Sequence, residues 1–492
     1  MGLTLAFLIF TVGIVGLFIL ERDRREPRNP ALWLPVFWWL MIGSRPVSSW
    51  LALVGIGSGA SDDLDAQLEG SPIEAVVLSA LLLAGLLVLI RRRQRVSALL
   101  ISAWPLLLYL VYSLSSCLWS PFPEVAFKRW VRQLVAVVIV LIVASDRSPM
   151  LAFRRVLFRT GAVLLPYSVM MIRYSPLGRG YDPDGNPMNT GVTTNKNALG
   201  LMTFVVMIGI VWGFLQTLRD RQNPRRRQQL IAEGTLIIFG IAVLYMAHSA
   251  TSLGCFAMGS LLIFLAGQPV FRRSPGRLHV LVVGMAAVVG LSMAFGLDSL
   301  ILGAMGRDST LTGRTEIWQA VIPLCPNPLI GTGFDSFWNT YGGHLEGLKG
   351  YIAGVTTAHN GYIETYLNLG WLGVFSVSLI ILGAYGRAAR SFRINPEDGR
   401  LMLALVATAA VYSVTEAGFR SLTPSWFILV LAATATAASR RDQSAVSASE
   451  PVTAADGMLI HSLDSNQAVL STFSQRELVR NSKRDSSYRN TF

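Results

Sequence analysis

The segment TTAHNGYIETYLNLGWLGVF contains the residue of this chain that is best suited to acid–base chemistry. His359 stands at the start of an apolar stretch at residues 358–386, and we expect it in the first turn of a helix. Eleven residues advance a helix by three turns plus about 20°, so Gly370 is expected below His359 on one face, with Tyr362 and Tyr366 near it. A helix N-terminus disfavours imidazolium, which leaves the ring neutral and able to accept a proton. His359 is therefore a candidate general base for a hydroxyl group, and a histidine that only caps the helix is the alternative.

Basic residues also occur in connections that are otherwise poor in positive charge. They are Lys128, Arg129, Arg132, Arg173, Arg179, Arg307, Arg314 and Arg420. Arginine suits phosphate because its planar guanidinium offers a fork of hydrogen-bond donors. As a group these residues favour the binding of an anion, whereas any one of them could instead extend to lipid headgroups.

Three glutamates, Glu316, Glu364 and Glu416, are expected near helix ends on the same side as these basic residues. Glu416 precedes Arg420 by four residues, a spacing that predicts a structural ion pair on a helix.

Arg45 lies about 22 Å into the second apolar stretch at 1.5 Å per residue. It is either a functional charge within the membrane or the end of a short span.

The chain as a whole has the composition of a membrane protein. Of its 492 residues, 52% are hydrophobic and 14% are charged, which is far from a soluble domain of this size. The formal net charge of +13 is carried mainly by arginine clusters between apolar runs. That arrangement is a topology signal, so nucleic acid is not an expected partner. We expect neither a metal site nor a disulfide framework from the three cysteines, which form no CxxC pair and have no nearby histidine: Cys117, Cys255 and Cys325.

About thirteen stretches are long and apolar enough to span a bilayer. They lie near residues 3–20, 31–54, 72–90, 97–117, 131–145, 151–172, 190–217, 229–247, 250–267, 278–297, 358–386, 401–418 and 422–438. These stretches predict an all-α, polytopic membrane protein with about twelve to thirteen transmembrane helices. The first stretch lacks a basic n-region and a small-residue cleavage site, so we expect a retained span and not a signal peptide.

Every second connection between these stretches is rich in arginine, and cytoplasmic loops retain positive charge. This parity predicts an N-terminus outside, a C-terminus in the cytoplasm and a long outer loop at residues 298–357. Residues 1–440 would form the transmembrane domain, and the polar residues 441–492 a disordered cytoplasmic tail. The candidate site would therefore face the non-cytoplasmic side of the membrane.

Two runs make the chain recognisable, TGRTEIWQAVIPLCPNPLIGTGFDSFW and AHNGYIETYLNLGWLG. Together with WSPFPEVAFKRWVRQL and TTNKNALG upstream, they resemble the O-antigen ligase and polymerase superfamily, most closely its exopolysaccharide-polymerase-like branch. The resemblance extends from about residue 100 to residue 435, and the spacing from His359 to Gly370 matches the characteristic motif of that family.

The resemblance implies a metal-independent, inverting glycosyltransferase of the GT-C type that needs no cofactor. It implies a polyprenyl-pyrophosphate-linked glycan as substrate, at the periplasmic face of a bacterial inner membrane. His359 would be the base for the acceptor hydroxyl, and Arg314 the firmest ligand of the pyrophosphate. Further substrate-binding positions are expected at Lys128, Arg129, Arg132, Arg173, Glu316, Tyr362 and Gly370.

Three functions stay open at this point. The first is a polymerase that joins polyprenyl-linked repeat units into exopolysaccharide or O-antigen, and the second is a ligase that transfers the glycan to lipid A core. The third is a transporter of the same lipid-linked glycan, which should place ionisable groups around the bilayer midplane. The expected partners are the lipid-linked glycan, a glycan or lipid acceptor, the lipid bilayer and a chain-length regulator.

Overall fold

The described part of the chain is almost entirely helical. The computed structural model describes residues 2–21, 29–53, 55, 71–181, 185–294, 312–341 and 356–435. The predicted tail, and Arg307 in the predicted outer loop, lie outside the described residues.

The α-helices follow the apolar stretches of the sequence. They are α1 (Leu3–Glu21), α2 (Trp33–Ile42), α3 (Val47–Leu53), α4 (Pro72–Arg91), α5 (Arg93–Ser102), α6 (Trp104–Ser116), α7 (Pro123–Ala144), α8 (Pro149–Tyr174), α9 (Lys196–Arg219), α10 (Arg226–Ala247), α11 (Ala250–Ala266), α12 (Pro269–Arg273), α13 (Pro275–Ala294), α14 (Thr312–Val321), α15 (Phe337–Tyr341), α16 (Gly361–Ile394), α17 (Pro396–Thr415) and α18 (Pro424–Thr434). A small antiparallel sheet of β1 (Arg179–Tyr181) and β2 (Pro187–Asn189) pairs Gly180 with Met188.

The all-α, polytopic fold is confirmed. Within the described residues, six helices are long and apolar enough to cross a membrane, namely α1, α4, α8, α9, α10 and α16. The pair α5 and α6, which is bent by 85°, would provide a seventh span. Other predicted spans correspond to shorter apolar helices or to helices that carry charge, so the count of twelve to thirteen spans stays a prediction.

The predicted span at 31–54 is broken between α2 and α3, and Arg45 lies in the break. Its backbone N–H donates to the carbonyl of Val192 at 2.9 Å. Its guanidinium donates to the carbonyl of Leu177 and to Oγ1 of Thr190. Arg45 therefore fastens the break to the segment around the small sheet, which favours the interpretation that it ends a short span.

Helix α7 is longer than the predicted span at 131–145. It begins at Pro123, with proline in the first turn and Glu124 as the acidic residue that favours a helix N-terminus. Lys128, Arg129 and Arg132 interrupt the apolar pattern, which is why the sequence predicts too late a start. These three basic residues consequently belong to the helix and not to the connection before it.

The centre of the described unit is helix α18, whose eleven residues are all buried. The rings of Trp38 and Trp39 on α2 lie 5.3 and 5.2 Å from the ring of Phe427. Helices α7, α16 and α17 also pack against α18. A helix that is apolar on every side is a core helix, so α18 holds the elements that converge on the candidate site.

The outer helices expose large apolar side chains. Examples are Val12 on α1, Leu83 on α4, Ile238 on α10 and Val280 on α13. Soluble monomers rarely expose contiguous apolar surface of this extent, whereas lipid covers it readily. The distribution of exposed residues thus agrees with a multi-pass membrane protein.

Candidate active site

The sequence predicts His359 in the first turn of α16. In the structure His359 instead lies directly before the N-terminus of that helix. Asn360 caps the helix, because its Oδ1 accepts from the backbone N–H groups of Tyr362 at 2.9 Å and Ile363 at 3.0 Å. The amide of Asn360 donates to the carbonyl of Val414 at 2.8 Å, which joins this cap to the end of α17. His359 itself adopts a left-handed backbone conformation with φ of 47°. Its position is therefore set by the capping turn.

The carboxylate of Glu416 collects three side chains from distant parts of the sequence, which we call the Glu416 cluster. Its Oε1 accepts from Nη2 of Arg314 at 2.9 Å and from Nδ2 of Asn197 at 3.0 Å. Its Oε2 lies 3.5 Å from Nδ1 of His359. Four elements meet here: the start of α9, helix α14, the cap of α16 and the end of α17.

The predicted ion pair between Glu416 and Arg420 on one helix is wrong. Helix α17 ends at Thr415, and Glu416 is extended with φ of −143° and ψ of 156°. Glu416 and Arg420 therefore do not lie on one helix, and a separation of four residues does not bring their side chains together. Glu416 instead pairs with Arg314, and Arg420 pairs with Asp335 at 3.5 Å.

The protonation of Glu416 follows from its surroundings. Burial on its own raises the pKa of the Glu416 carboxyl. The hydrogen bond from His359 and the charge of Arg314 outweigh that effect, and the pKa is lowered overall. Glu416 is therefore an anion at neutral pH, and it can stabilise the positive charge that a histidine acquires when it accepts a proton.

Arg314 is buried, with 7% of its surface exposed. Its Nη1 donates to the carbonyl of Thr415 and its Nη2 to Glu416. Both terminal nitrogens of the guanidinium are thus engaged with protein groups at the end of α17. This geometry fits a residue that holds Glu416 in place.

A second charged group, the Asp335 cluster, consists of Asp335, Arg129 and Arg420. Arg129 donates from Nη1 to the backbone carbonyl of Asp335, and its Nε lies 3.9 Å from the carboxylate. Nη2 of Arg420 lies 3.5 Å from Oδ1 of Asp335. Two guanidinium groups meet at Asp335 in this cluster, and the charge of Glu364 also acts on Arg420. Guanidinium groups suit an anionic ligand such as phosphate.

Glu364 fixes the segments that flank these two clusters. Its Oε1 accepts from the indole N–H of Trp338 at 2.8 Å, and its Oε2 accepts from the backbone N–H of Ala358 at 2.9 Å. A cleft of about 40 Å³ lies beside it, lined by Asp335, Glu364, Asn368 and Arg420 among others. A cleft of that size admits a water or a phosphate oxygen, and a sugar ring would have to lie at its mouth.

Gly370 does not lie below His359 on a continuous helix face. Helix α16 starts after His359, and it is broken at Gly370, whose φ of 61° and ψ of −164° are not helical. A Cβ atom on Gly370 would lie 2.3 Å from the carbonyl carbon of Leu329. A Cβ atom on Gly331 would in turn lie 2.4 Å from that of Asn368. Glycine is required at both positions because the two backbones touch.

The break in α16 leaves carbonyl groups without helical partners, and the segment after Gly331 supplies donors for them. The backbone N–H of Thr332 donates to Leu367 at 3.1 Å, and that of Gly333 donates to Asn368 at 2.8 Å. The hydroxyl of Tyr112 donates to the carbonyl of Leu369 at 2.8 Å. The segment from His359 to Gly370 and the segment from Gly331 to Phe334 are thus hydrogen-bonded to each other. This contact places Asp335 beside α16.

The remaining predicted residues have varied positions. Tyr362 is half-buried, its hydroxyl donates to the carbonyl of Ala410 at 3.1 Å, and its ring packs 5.0 Å from that of Phe419. Lys128 and Glu316 are exposed on α7 and α14, Arg173 is exposed near the end of α8, and Arg132 is half-buried on α7. The structure therefore brings His359 and Arg314 together and joins Arg129 to Asp335. Tyr362, Lys128, Glu316 and Arg173 are not among the residues that define either cluster.

Sequence reasoning missed Asn197 and Asp335, and it assigned Glu416 to the wrong partner. Asn197 stands in TTNKNALG and Asp335 in GTGFDSFW, two segments that carry the family resemblance. A search of those segments for polar side chains would have raised both as candidates. The partner of Glu416 could not be predicted without knowing the direction in which the chain leaves α17.

Residues 235–378 match the family model described as O-Antigen ligase. The chain is also 28% identical over 287 residues to the Exopolysaccharide production protein ExoQ of Rhizobium meliloti (strain 1021), a match that covers 56% of this chain and 63% of that relative. The chain thus spans less than two thirds of the length of the curated relative that it matches. The resemblance to the O-antigen ligase superfamily is confirmed, and it lies on the segment that contains both Arg314 and His359.

Proposed function

We propose that this chain is a membrane glycosyltransferase that joins polyprenyl-pyrophosphate-linked oligosaccharide repeat units into exopolysaccharide or O-antigen. The observation that carries the proposal is the contact of His359 with Glu416, which Arg314 holds in turn. This contact lies partly within the matched family segment. The name of the similar protein, exopolysaccharide production protein, supports a role in the assembly of a polysaccharide.

In the proposed reaction, Nδ1 of His359 donates to anionic Glu416, which leaves Nε2 to accept a proton from the acceptor hydroxyl. The acceptor oxygen then attacks the anomeric carbon of the lipid-linked sugar. The bond from that carbon to the phosphate oxygen breaks, and the lipid pyrophosphate leaves with the electron pair. Attack opposite to the leaving group inverts the anomeric centre, and Glu416 stabilises the imidazolium that forms.

The leaving pyrophosphate needs fixed cations in a site that excludes water, and these cations would replace a metal ion. We assign this role first to Arg129 and Arg420 of the Asp335 cluster, because their guanidinium groups meet at Asp335, which lines the cleft beside Glu364. Lys128, Arg132 and Arg173 stay candidates for the outer part of the same substrate. Arg314, expected from the resemblance to bind pyrophosphate, is assigned to positioning Glu416, because both of its Nη atoms donate to the end of α17.

In this proposal the site lies at the periplasmic face of a bacterial inner membrane, within a GT-C-like transmembrane domain. The parity of arginine-rich connections supports that side, with the N-terminus outside and the C-terminus in the cytoplasm. A chain-length regulator is the partner that a polymerase of this kind would use.

A ligase that transfers finished glycan to lipid A core is the second candidate, because the matching family model is described as O-Antigen ligase. Glycan profiling of a deletion strain separates the two functions. If the chain is a polymerase, the deletion strain is expected to accumulate single-repeat products. Full-length chains that remain on the polyprenyl carrier would contradict the polymerase and favour the ligase.

A biochemical assay separates both enzymes from a transporter. Purified full-length protein in detergent is given a lipid-linked glycan and an acceptor, with no second compartment present. We expect a longer glycan and free polyprenyl pyrophosphate from the unaltered protein, and neither from a His359→Ala variant. A protein that is folded but gives no product under these conditions would contradict the glycosyltransferase proposal.

A further inference from the structure

A cavity of about 500 Å³ lies at the opposite end of α7 from the candidate active site. Its lining includes Ser145 directly after α7, about 24 Å along the helix from Arg129 at 1.5 Å per residue. Among the described residues, the charged side chains that line it are five arginines and one aspartate, namely Arg91, Arg92, Arg93, Arg95, Arg147 and Asp146. The cavity is thus strongly cationic.

Two of the arginines are fixed by the protein. Arg92 donates from Nη1 to the carbonyl of Ile142 at 3.1 Å and to Oγ of Ser145 at 3.2 Å. Arg95 donates from Nη1 to the carbonyl of Ser145 at 3.0 Å. Cations are favoured at a helix C-terminus, and these contacts to the end of α7 explain why Arg92 and Arg95 are present.

The single carboxylate of the lining is also engaged. Oδ2 of Asp146 accepts from Nδ2 of Asn29 at 2.5 Å, and its Oδ1 accepts from the backbone N–H of Ser148 at 3.1 Å. Asp146 therefore serves the connection between α7 and α8. The exposed arginines Arg91, Arg93 and Arg147 surround a cavity whose one acid is already hydrogen-bonded.

The apolar helices α4 and α7 both end at this cavity, so it lies at the level where headgroups of a bilayer would be found. Basic pockets between transmembrane helices at that level suit phosphate-bearing headgroups. We propose that the cavity binds the phosphate of an anionic phospholipid, with Arg91, Arg93 and Arg147 as its ligands. The site is separate from the proposed glycosyl transfer and does not depend on it.

The test is native mass spectrometry of the purified full-length protein, titrated with phosphatidylglycerol and with phosphatidylethanolamine of the same acyl chains. The variant carries Arg91→Gln, Arg93→Gln and Arg147→Gln, which leaves the hydrogen bonds of Arg92 and Arg95 intact. The matched control carries Arg221→Gln, Arg227→Gln and Arg273→Gln, three exposed arginines outside the lining of the cavity. We expect the cavity variant to bind phosphatidylglycerol about 100-fold more weakly and the control to bind it as the unaltered protein does.

Equal weakening in both triple variants would overturn the proposal, because it would show general surface attraction. Equal binding of the two lipids by the unaltered protein would overturn it as well.

The same three proteins are also titrated with inorganic phosphate. If phosphate distinguishes the cavity variant from the control while the lipid does not, the ligand is soluble phosphate and the headgroup assignment fails. If the triple variant does not insert into the membrane, the single change Arg147→Gln is measured, with an expected weakening of about fivefold.

Discussion

The two ends of helix α17 each hold a glutamate that binds side chains from distant parts of the chain. Glu397 lies in the first turn, and its Oε1 accepts from Arg219 at 3.0 Å and from Arg272 at 2.5 Å, while Arg400 forms a third ion pair. Glu416 lies directly after the last turn, about 30 Å away for twenty residues. A carboxylate that pairs with side chains of other helices thus occurs at both ends of one helix.

The difference between the two ends lies in the partners and in the burial. Glu397 is surrounded by arginines, which keep their charge at every physiological pH. Its side chain is 29% exposed, and those of Arg219 and Arg272 are 45% and 40% exposed. Glu416 is 10% exposed, and one of its partners is the imidazole of His359, the side chain most often used as a general base. The partners of Glu397 suit a structural role, whereas we propose that the Glu416 end also moves a proton.

The largest effect is expected from removing the proton acceptor at the Glu416 end. His359→Ala should lower the rate of glycan transfer by about 10²–10⁴-fold, the usual contribution of a general base. The rate is measured with purified protein and a lipid-linked donor. His279→Ala is the matched control, since His279 contacts Tyr385 and belongs to neither end of α17. Activity retained in His359→Ala would remove this residue as the base and with it the contrast between the two ends.

The next effect separates the two carboxylates. Glu416→Gln keeps the size of the side chain but removes the charge that stabilises imidazolium, so kcat should fall about 100-fold. Glu397→Gln should lower the thermal stability while kcat per folded molecule stays the same. Both quantities are measured on the same preparations. Equal losses of kcat in the two variants would mean that Glu416 acts only as a structural anchor.

A smaller effect is expected from Arg314→Lys, which keeps the charge but cannot donate to Thr415 and Glu416 in the same geometry. We expect kcat to fall about tenfold with little change in the KM of the lipid-linked donor, because Arg314 positions Glu416. Arg272→Lys at the other end of α17 provides the comparison and should leave both constants unchanged. A large rise in KM for Arg314→Lys would instead indicate direct contact of Arg314 with pyrophosphate.

The smallest effect concerns stability at low pH. The native pKa of Glu416 is lowered, because the His359 hydrogen bond and the Arg314 charge outweigh burial. Its ion pairs therefore stabilise the fold fully above the ordinary pKa of a glutamate, and this contribution is lost as the pH falls through the lowered native value. The melting temperature of the unaltered protein should fall through this range, and that of Glu416→Gln should fall less. Identical pH profiles would contradict the assigned protonation.

The sequence predicted the helices well where apolar residues are uninterrupted. The division between α10 and α11 at His248 is confirmed, since His248 has φ of 51° and ends the first of them. The start of α7 was predicted too late because Lys128, Arg129 and Arg132 interrupt the apolar run. The break at Gly370 was not predicted, because a helical repeat cannot show that another backbone lies against it.

The sequence by itself determined that this chain is helical and lies in a membrane, because a backbone in lipid must satisfy its own hydrogen bonds and long apolar runs do so only as helices. It also singled out His359 and Arg314 as chemically suitable residues. Only the tertiary structure decided that Glu416 joins them. That contact links residues 57 and 102 positions apart. It depends on where α17 ends and on the extended backbone of Glu416, and neither follows from residue types and spacing alone.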